Sequence, residues 1–209
     1  LIKCIENSKY LKEVTFVGEL PSGIEDFFTK LCEKKEMSIL SLTFKNVKLS
    51  QQQLSIFNSS PIKSYRFSGQ NFDSNDTLLN FIETNNIDLL SIKNSPQTDF
   101  FSNLNKFANI TVLSLCKNDI EIGDFFSALS KIESRIQCLY LSGNKCEKEI
   151  SNDIKIPKFE EIRLDNISWG DFFFSYFQNL LKTQIFVDLS NSTMNDNEWN
   201  KVFNYLNTT

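Results

Sequence analysis

The sequence contains no histidine. That absence excludes a Ser-His-Asp or Cys-His nucleophilic triad, any imidazole-containing zinc site and a haem held by His. Arginine is almost as scarce, with 3 Arg beside 19 Lys, and 26 acidic residues leave a net charge of −4. A balance of that kind provides no electrostatic footprint for nucleic acid or for an anionic membrane surface. Glycine numbers only 6, and no Gly-rich stretch is available to cradle a phosphate. No apolar run approaches the roughly 18 residues that a membrane span needs. The expectation is a chain without cofactor, nucleic-acid partner or membrane insertion.

Cysteine is present but carries no pattern. Cys4, Cys32, Cys116, Cys138 and Cys146 are odd in number, widely spaced and form no CxxC pair. They read as small buried apolar residues in a reducing, cytoplasmic compartment. The chain begins at Leu1 with no signal-peptide pattern, so it is expected to be a piece of a longer polypeptide with possible flanking domains.

The composition itself is that of a folding chain, 41% apolar and 13% aromatic, with 20 Phe. One pattern recurs along it: apolar-x-x-apolar-x-apolar, often followed by Asn. The clearest copies are Ile110-x-x-Leu113-x-Leu115-x-x-Asn118 and Ile136-x-x-Leu139-x-Leu141-x-x-Asn144. The last apolar position of each copy falls at residues 16, 44, 67, 92, 115, 141, 164 and 189, a mean spacing near 25. Asn falls one position early at Asn46, Asn94, Asn166 and Asn191, while Glu19 and Gln70 stand where Asn is expected.

Alternation of period two over each copy predicts a short strand with one face inward. Between the copies lie segments with helical spacing, such as Phe125, Leu129 and Ile132, or Phe173, Phe177 and Leu180. The last unit repeats that stripe as Trp199, Val202, Phe203 and Leu206. Asp-Phe-Phe recurs at residues 26, 99, 124 and 171, and its Asp reads as a helix N-cap. After Asn144 the helical signal is weak and ends at Pro157, so a short or irregular helix is expected there. The excess of Phe is assigned to the helical back of the molecule.

A strand, a turn and a helix repeated every 25 residues cannot bury a face alone but can do so by stacking. These units resemble leucine-rich repeats, whose L-x-x-L-x-L-x-x-N core is matched best at residues 110–118 and 136–144. The helical connections resemble the cytoplasmic ribonuclease-inhibitor, tropomodulin and CARMIL-like subclass. The resemblance implies an α/β solenoid, or horseshoe, of about eight repeats over residues 11–209. Parallel strands would line its concave face and helices its convex face. Residues 1–10 would be an N-terminal cap or the end of a preceding repeat. Actin-regulatory or scaffold partners are what the subclass implies.

In each unit x-L-x-L-x the three x side chains project from the concave face. Lys45, Arg66 and Lys93 are expected to form a basic strip, and Val112, Cys116 and Tyr140 with Cys138 a less polar centre. Arg163, Asp165 and Asp188 with Glu161 are expected to form an acidic end. A graded face of this sort suits a protein or peptide partner with complementary charge. The expected function is therefore a non-enzymatic protein-binding module, with the recognition domain of a multidomain enzyme, such as a ubiquitin-ligase adaptor or GTPase regulator, as the alternative. No catalytic, cofactor-binding or metal-binding residue is expected.

Overall fold

The computed structural model describes residues 11–33, 41–58, 60–69, 72, 74–95, 101–151 and 153–208. Residues 1–10, expected to form a cap, and Asp99 lie outside them. The chain divides into two compact units, Leu1–Asp99 and Phe100–Thr209. Both are α/β.

The first unit carries four parallel strands in chain order: β1 (Glu13–Val17), β2 (Ser41–Lys45), β3 (Ser64–Ser68) and β4 (Leu89–Lys93). Their registers are unbroken, with Phe16 opposite Phe44 and Phe44 opposite Phe67. Helices α1 (Ile24–Glu33), α2 (Gln51–Ser55) and α3 (Asn75–Thr84) follow the first three strands. In the second unit a 3-10 segment, Phe101–Phe107, precedes β5 (Val112–Ser114), α4 (Ile122–Leu129), β6 (Cys138–Tyr140) and β7 (Glu161–Arg163). Next come β8 (Ser168–Gly170), α5 (Phe173–Thr183), β9 (Phe186–Asp188), β10 (Thr193–Met194) and α6 (Asp196–Thr208). Strands β5, β6, β7 and β9 pair in parallel in that order. Each of the eight copies of the pattern thus carries one of these strands. No helix among the described residues is long and apolar enough to cross a membrane.

The inward strand positions bury Leu42, Phe44, Tyr65, Phe67, Leu90 and Ile92 in one unit and Leu113, Leu139 and Ile162 in the other. Each such side chain contributes about 1.5–3 kcal/mol on burial. The Phe excess is divided between the two layers rather than confined to the helices. Phe16, Phe44 and Phe67 stack as a column beneath the strands, with centroids 5.2 and 5.5 Å apart and planes within 12° and 10°. Phe28 and Phe57 of the helical side meet Phe44 edge-on at 6.1 Å each. Edge-to-face contact brings the positive ring edge to the negative face, which adds to the area term.

The Asn residues separate into two kinds. The position two beyond the last apolar residue of every copy has positive φ: Gly18, Asn46, Gly69, Asn94, Lys117, Gly143, Asn166 and Asn191 lie between 52° and 76°. The early Asn residues are therefore left-handed turn residues, chosen because Asn and Gly tolerate that conformation. The bridging amide is instead at Asn144. Its Oδ1 accepts from the N–H groups of Asn118 at 2.9 Å and Ile120 at 3.1 Å, and its Nδ2 donates to the carbonyls of Leu115 and Leu141, both at 2.7 Å. Ser192 does part of this at the last copy, accepting from the Ile167 N–H at 3.1 Å and donating to the Leu164 carbonyl at 3.0 Å.

The three described Asp-Phe-Phe aspartates do not cap. Asp26 and Asp124 sit inside the first turns of α1 and α4, where a carboxylate still favours the positive end of the helix. The caps are Ser50 on α2, Ser74 on α3 and Glu121 on α4. Ahead of α6, the Asn195 side chain accepts the Glu198 N–H at 2.9 Å. Helix α5 has no side-chain cap of its own, and the buried Glu198 of α6 accepts the Phe174 N–H at 2.7 Å. Between β6 and β7 no helix forms among the described residues. Tyr176 of α5 reaches into that stretch, donating its hydroxyl to the Lys148 carbonyl at 2.9 Å.

Candidate functional site

Strand residues that point away from the helices form an open face in each unit. In the first, Lys45 and Lys93 end β2 and β4 and are exposed, level with each other on either side of Ser68. Arg66 lies one row back, opposite Thr43. Its guanidinium donates to the Ser41 hydroxyl and lies 3.9 Å from the Glu13 carboxylate, which also accepts the Thr43 hydroxyl at 2.9 Å. The three cations are thus two exposed ammonium groups and one guanidinium tied across the sheet. Ser41 and Thr43 are buried although they face outward, because the long side chains of Glu13 and Arg66 lie over them.

In the second unit Val112 opens β5 and is half-buried, opposite Cys138. Cys116 lies just beyond β5, where its thiol approaches the Ser114 hydroxyl at 3.4 Å and the Tyr140 carbonyl at 3.7 Å. Tyr140, Arg163 and Asp188 stand in one cross-strand row. The Arg163 guanidinium carbon lies 4.9 Å from the Tyr140 ring centroid, within cation–π range. Glu161 joins the pair: it accepts the Tyr140 hydroxyl at 3.1 Å and the Arg163 Nε–H at 2.6 Å.

This arrangement shifts the ionisation of its members. Burial, then the hydrogen bond to Glu161, pushes Tyr140 up to about 12. The Glu161 hydrogen bond raises Arg163 further, so it stays charged at all working pH values. Asp188 is held below the usual carboxylate range, chiefly by the Ser190 backbone N–H that it accepts at 2.9 Å. Asp165 accepts the Ser142 hydroxyl. Burial raises the Cys138 thiol.

Glu161, which the sequence already counts in the acidic end, is the residue that joins Tyr140 to Arg163. Its role is legible from spacing once the register is known, because residues 140 and 163 become cross-strand neighbours and Glu161 shares their face. Phe186, exposed in β9 opposite Glu161, is a further outward-facing residue of this unit.

Recesses lie elsewhere. One of about 230 Å³ opens between α2 and α3, lined by Leu54 and Phe81 among others, and one of about 470 Å³ lies near Lys145, Glu147 and Ser168. Neither includes Lys45, Arg66, Tyr140 or Arg163. Among the described residues no three His, Cys, Asp or Glu side chains come together as metal ligands. The four described cysteines are free thiols, and Cys146 is buried while Cys32, Cys116 and Cys138 are half-buried. No protein-family model and no curated protein matches the chain.

Proposed function

We propose that the chain is a non-enzymatic binding module of the leucine-rich repeat type, a cytoplasmic solenoid of eight repeats whose strand face takes a protein or peptide. The observation that carries this reading is the arrangement of Tyr140, Glu161 and Arg163. A flat aromatic ring, a guanidinium and a carboxylate are fixed against each other on an open sheet, with Asp165 and Asp188 beside them. Tyr and Arg are the side chains that most often anchor protein interfaces, and pre-orienting them lowers the entropy cost of association. Lys45 and Lys93 give the strand face of the first unit a positive charge of its own for partner selection.

The test is capture of partners by the immobilised chain, comparing Tyr140→Ala, Arg163→Ala and Lys45→Glu with the helix-side control Asn80→Asp. Loss of the same captured protein with the strand-face variants, and its retention by the control, is expected. Loss on the helix-side change alone would move the site to the other face.

A further inference from the structure

The outward strand positions of the first unit carry three cations and one carboxylate. Leu1–Asp99 as a whole holds 11 Lys and Arg beside 12 Asp and Glu, so this excess is local to the face. Five of the described carboxylates lie instead on helices, Glu25, Asp26 and Glu33 on α1 and Asp76 and Glu83 on α3. Glu13, the one carboxylate of the strand face, is already engaged. It lies 3.9 Å from the Arg66 guanidinium and accepts the Thr43 hydroxyl at 2.9 Å. Lys45 and Lys93 have no ion-pair partner among the described residues.

The two lysines stand in one row. Cross-strand register aligns Val17 with Lys45, Lys45 with Ser68 and Ser68 with Lys93. Val17 is 67% exposed, Lys45 and Lys93 are exposed, and Ser68 is half-buried between them. Neighbouring strands lie about 4.8 Å apart, which puts Lys45 about 5 Å and Lys93 about 14 Å from Val17 along the row. In an extended peptide the side chains of one face recur about every 7 Å, so three alternate residues also span about 14 Å. A lysine stem is long enough to take up the small difference at Lys45.

The row is selective in kind. A lipid or nucleic-acid surface is met by clusters of about 4–8 cations, and two isolated ammonium groups do not form one. Phosphate is favoured by the bidentate fork of Arg, and here the Arg66 guanidinium is engaged by Ser41 and Glu13. Two separate point charges beside an apolar side chain match the carboxylates of a peptide.

We propose that this row binds an acidic segment of a partner protein in extended form. An apolar residue of the segment lies on Val17, and acidic residues two and four positions further along it pair with Lys45 and Lys93. The proposal rests on the reading of the strand face as a partner surface and names the partner's chemistry for the first unit.

The experiment follows the anisotropy of a fluorescein-labelled peptide with Leu, Glu and Glu at alternate positions, spaced by Ser, as the full chain is added at low salt. Saturable binding is expected, weakened about tenfold by Lys45→Gln combined with Lys93→Gln, the loss of two exposed ion pairs. A peptide with Gln for both Glu should weaken by a similar factor. Lys63→Gln, which removes the same charge from a lysine paired with Asp88 outside the row, should leave binding unchanged. No saturable binding up to about 1 mM, or binding indifferent to the Lys45 and Lys93 changes, overturns the proposal. So does tighter binding to phosphatidylserine vesicles that the double variant loses, since the occupant would then be a lipid surface. If the peptide fails while strand-face variants still release a captured protein, this proposal alone is overturned. Capture indifferent to every strand-face variant would overturn the reading of the face itself.

Discussion

The amide of Asn144 donates to the Leu115 carbonyl at 2.7 Å, so one copy of the pattern holds the backbone of the copy before it. The same side chain satisfies Asn118, Ile120 and Leu141, all in the buried interior of the turn. Replacing it leaves four backbone groups without this partner where water cannot reach freely. Asn144→Ala is therefore expected to cost about 2–4 kcal/mol, read from urea unfolding. Asn166→Gly, at a turn whose Asn is needed for φ rather than for bridging, should stay within about 0.5 kcal/mol. Equal losses at the two positions would erase the distinction between the two kinds of Asn.

The left-handed column makes a second comparison possible. At Gly69, with φ 62°, an added Cβ would meet the Asn46 Oδ1 at 2.0 Å. Gly69→Ala should cost at least about 1–2 kcal/mol through φ alone, and the close approach adds to it. Lys117 holds φ 54° without the freedom of glycine. Lys117→Gly should be neutral or stabilise by up to about 1 kcal/mol. In thermal unfolding Gly69→Ala is expected to lower the midpoint and Lys117→Gly to leave it unchanged or raise it.

Tyr140 ties the site to pH. Its folded pKa, pushed up to about 12, lies above the ordinary value near 10. A raised pKa means that the folded state holds the proton more tightly. The stabilisation is present in full below the ordinary value and is lost as pH rises through about 12. Tyrosinate absorbance should show a component near 12 that is missing from Tyr140→Phe, while Tyr65 and Tyr176, raised further by burial, still titrate later. In Glu161→Gln its midpoint should move down, because the carboxylate that opposes tyrosinate is gone.

The thiols should divide by burial. Burial pushes Cys146 up to about 12, and its Sγ lies against the Lys148 carbonyl at 3.7 Å. Only thiolate alkylates readily. With iodoacetamide at mildly alkaline pH, Cys146 should remain unmodified in the folded protein and react once urea unfolds it. Mass mapping that finds Cys146 labelled as fast as half-buried Cys116 would contradict that placement.

Much of the fold was legible because it rests on local periodicity. Alternation at Leu113 and Leu115 marks an inward strand face, and i, i+4, i+7 spacing at Phe173, Phe177 and Leu180 marks a helix stripe, whatever their neighbours are. The caps were not legible in the same way. Asp26 and Asp124 have the right chemistry for an N-cap but fall three residues into their helices, and Glu198 caps a helix that is not its own. A cap depends on where the chain turns, which the type of residue does not fix.

The site shows the same division. The repeat spacing by itself determined which side chains point outward in each unit, Lys45 and Arg66 in the first and Tyr140 and Arg163 in the second, because strand alternation leaves only two faces. Which of them interact was decided by tertiary structure alone. Parallel register sets Arg163 over Tyr140, and side-chain reach brings Arg66 to Glu13 across an intervening strand. The exposure of Trp199 and Phe203 belongs to the same class: their spacing matches Phe173 and Phe177, and only what stacks against each stripe separates the bare pair from buried Phe173 and half-buried Phe177. Sequence periodicity is a property of one segment, whereas pairing and cover are properties of two.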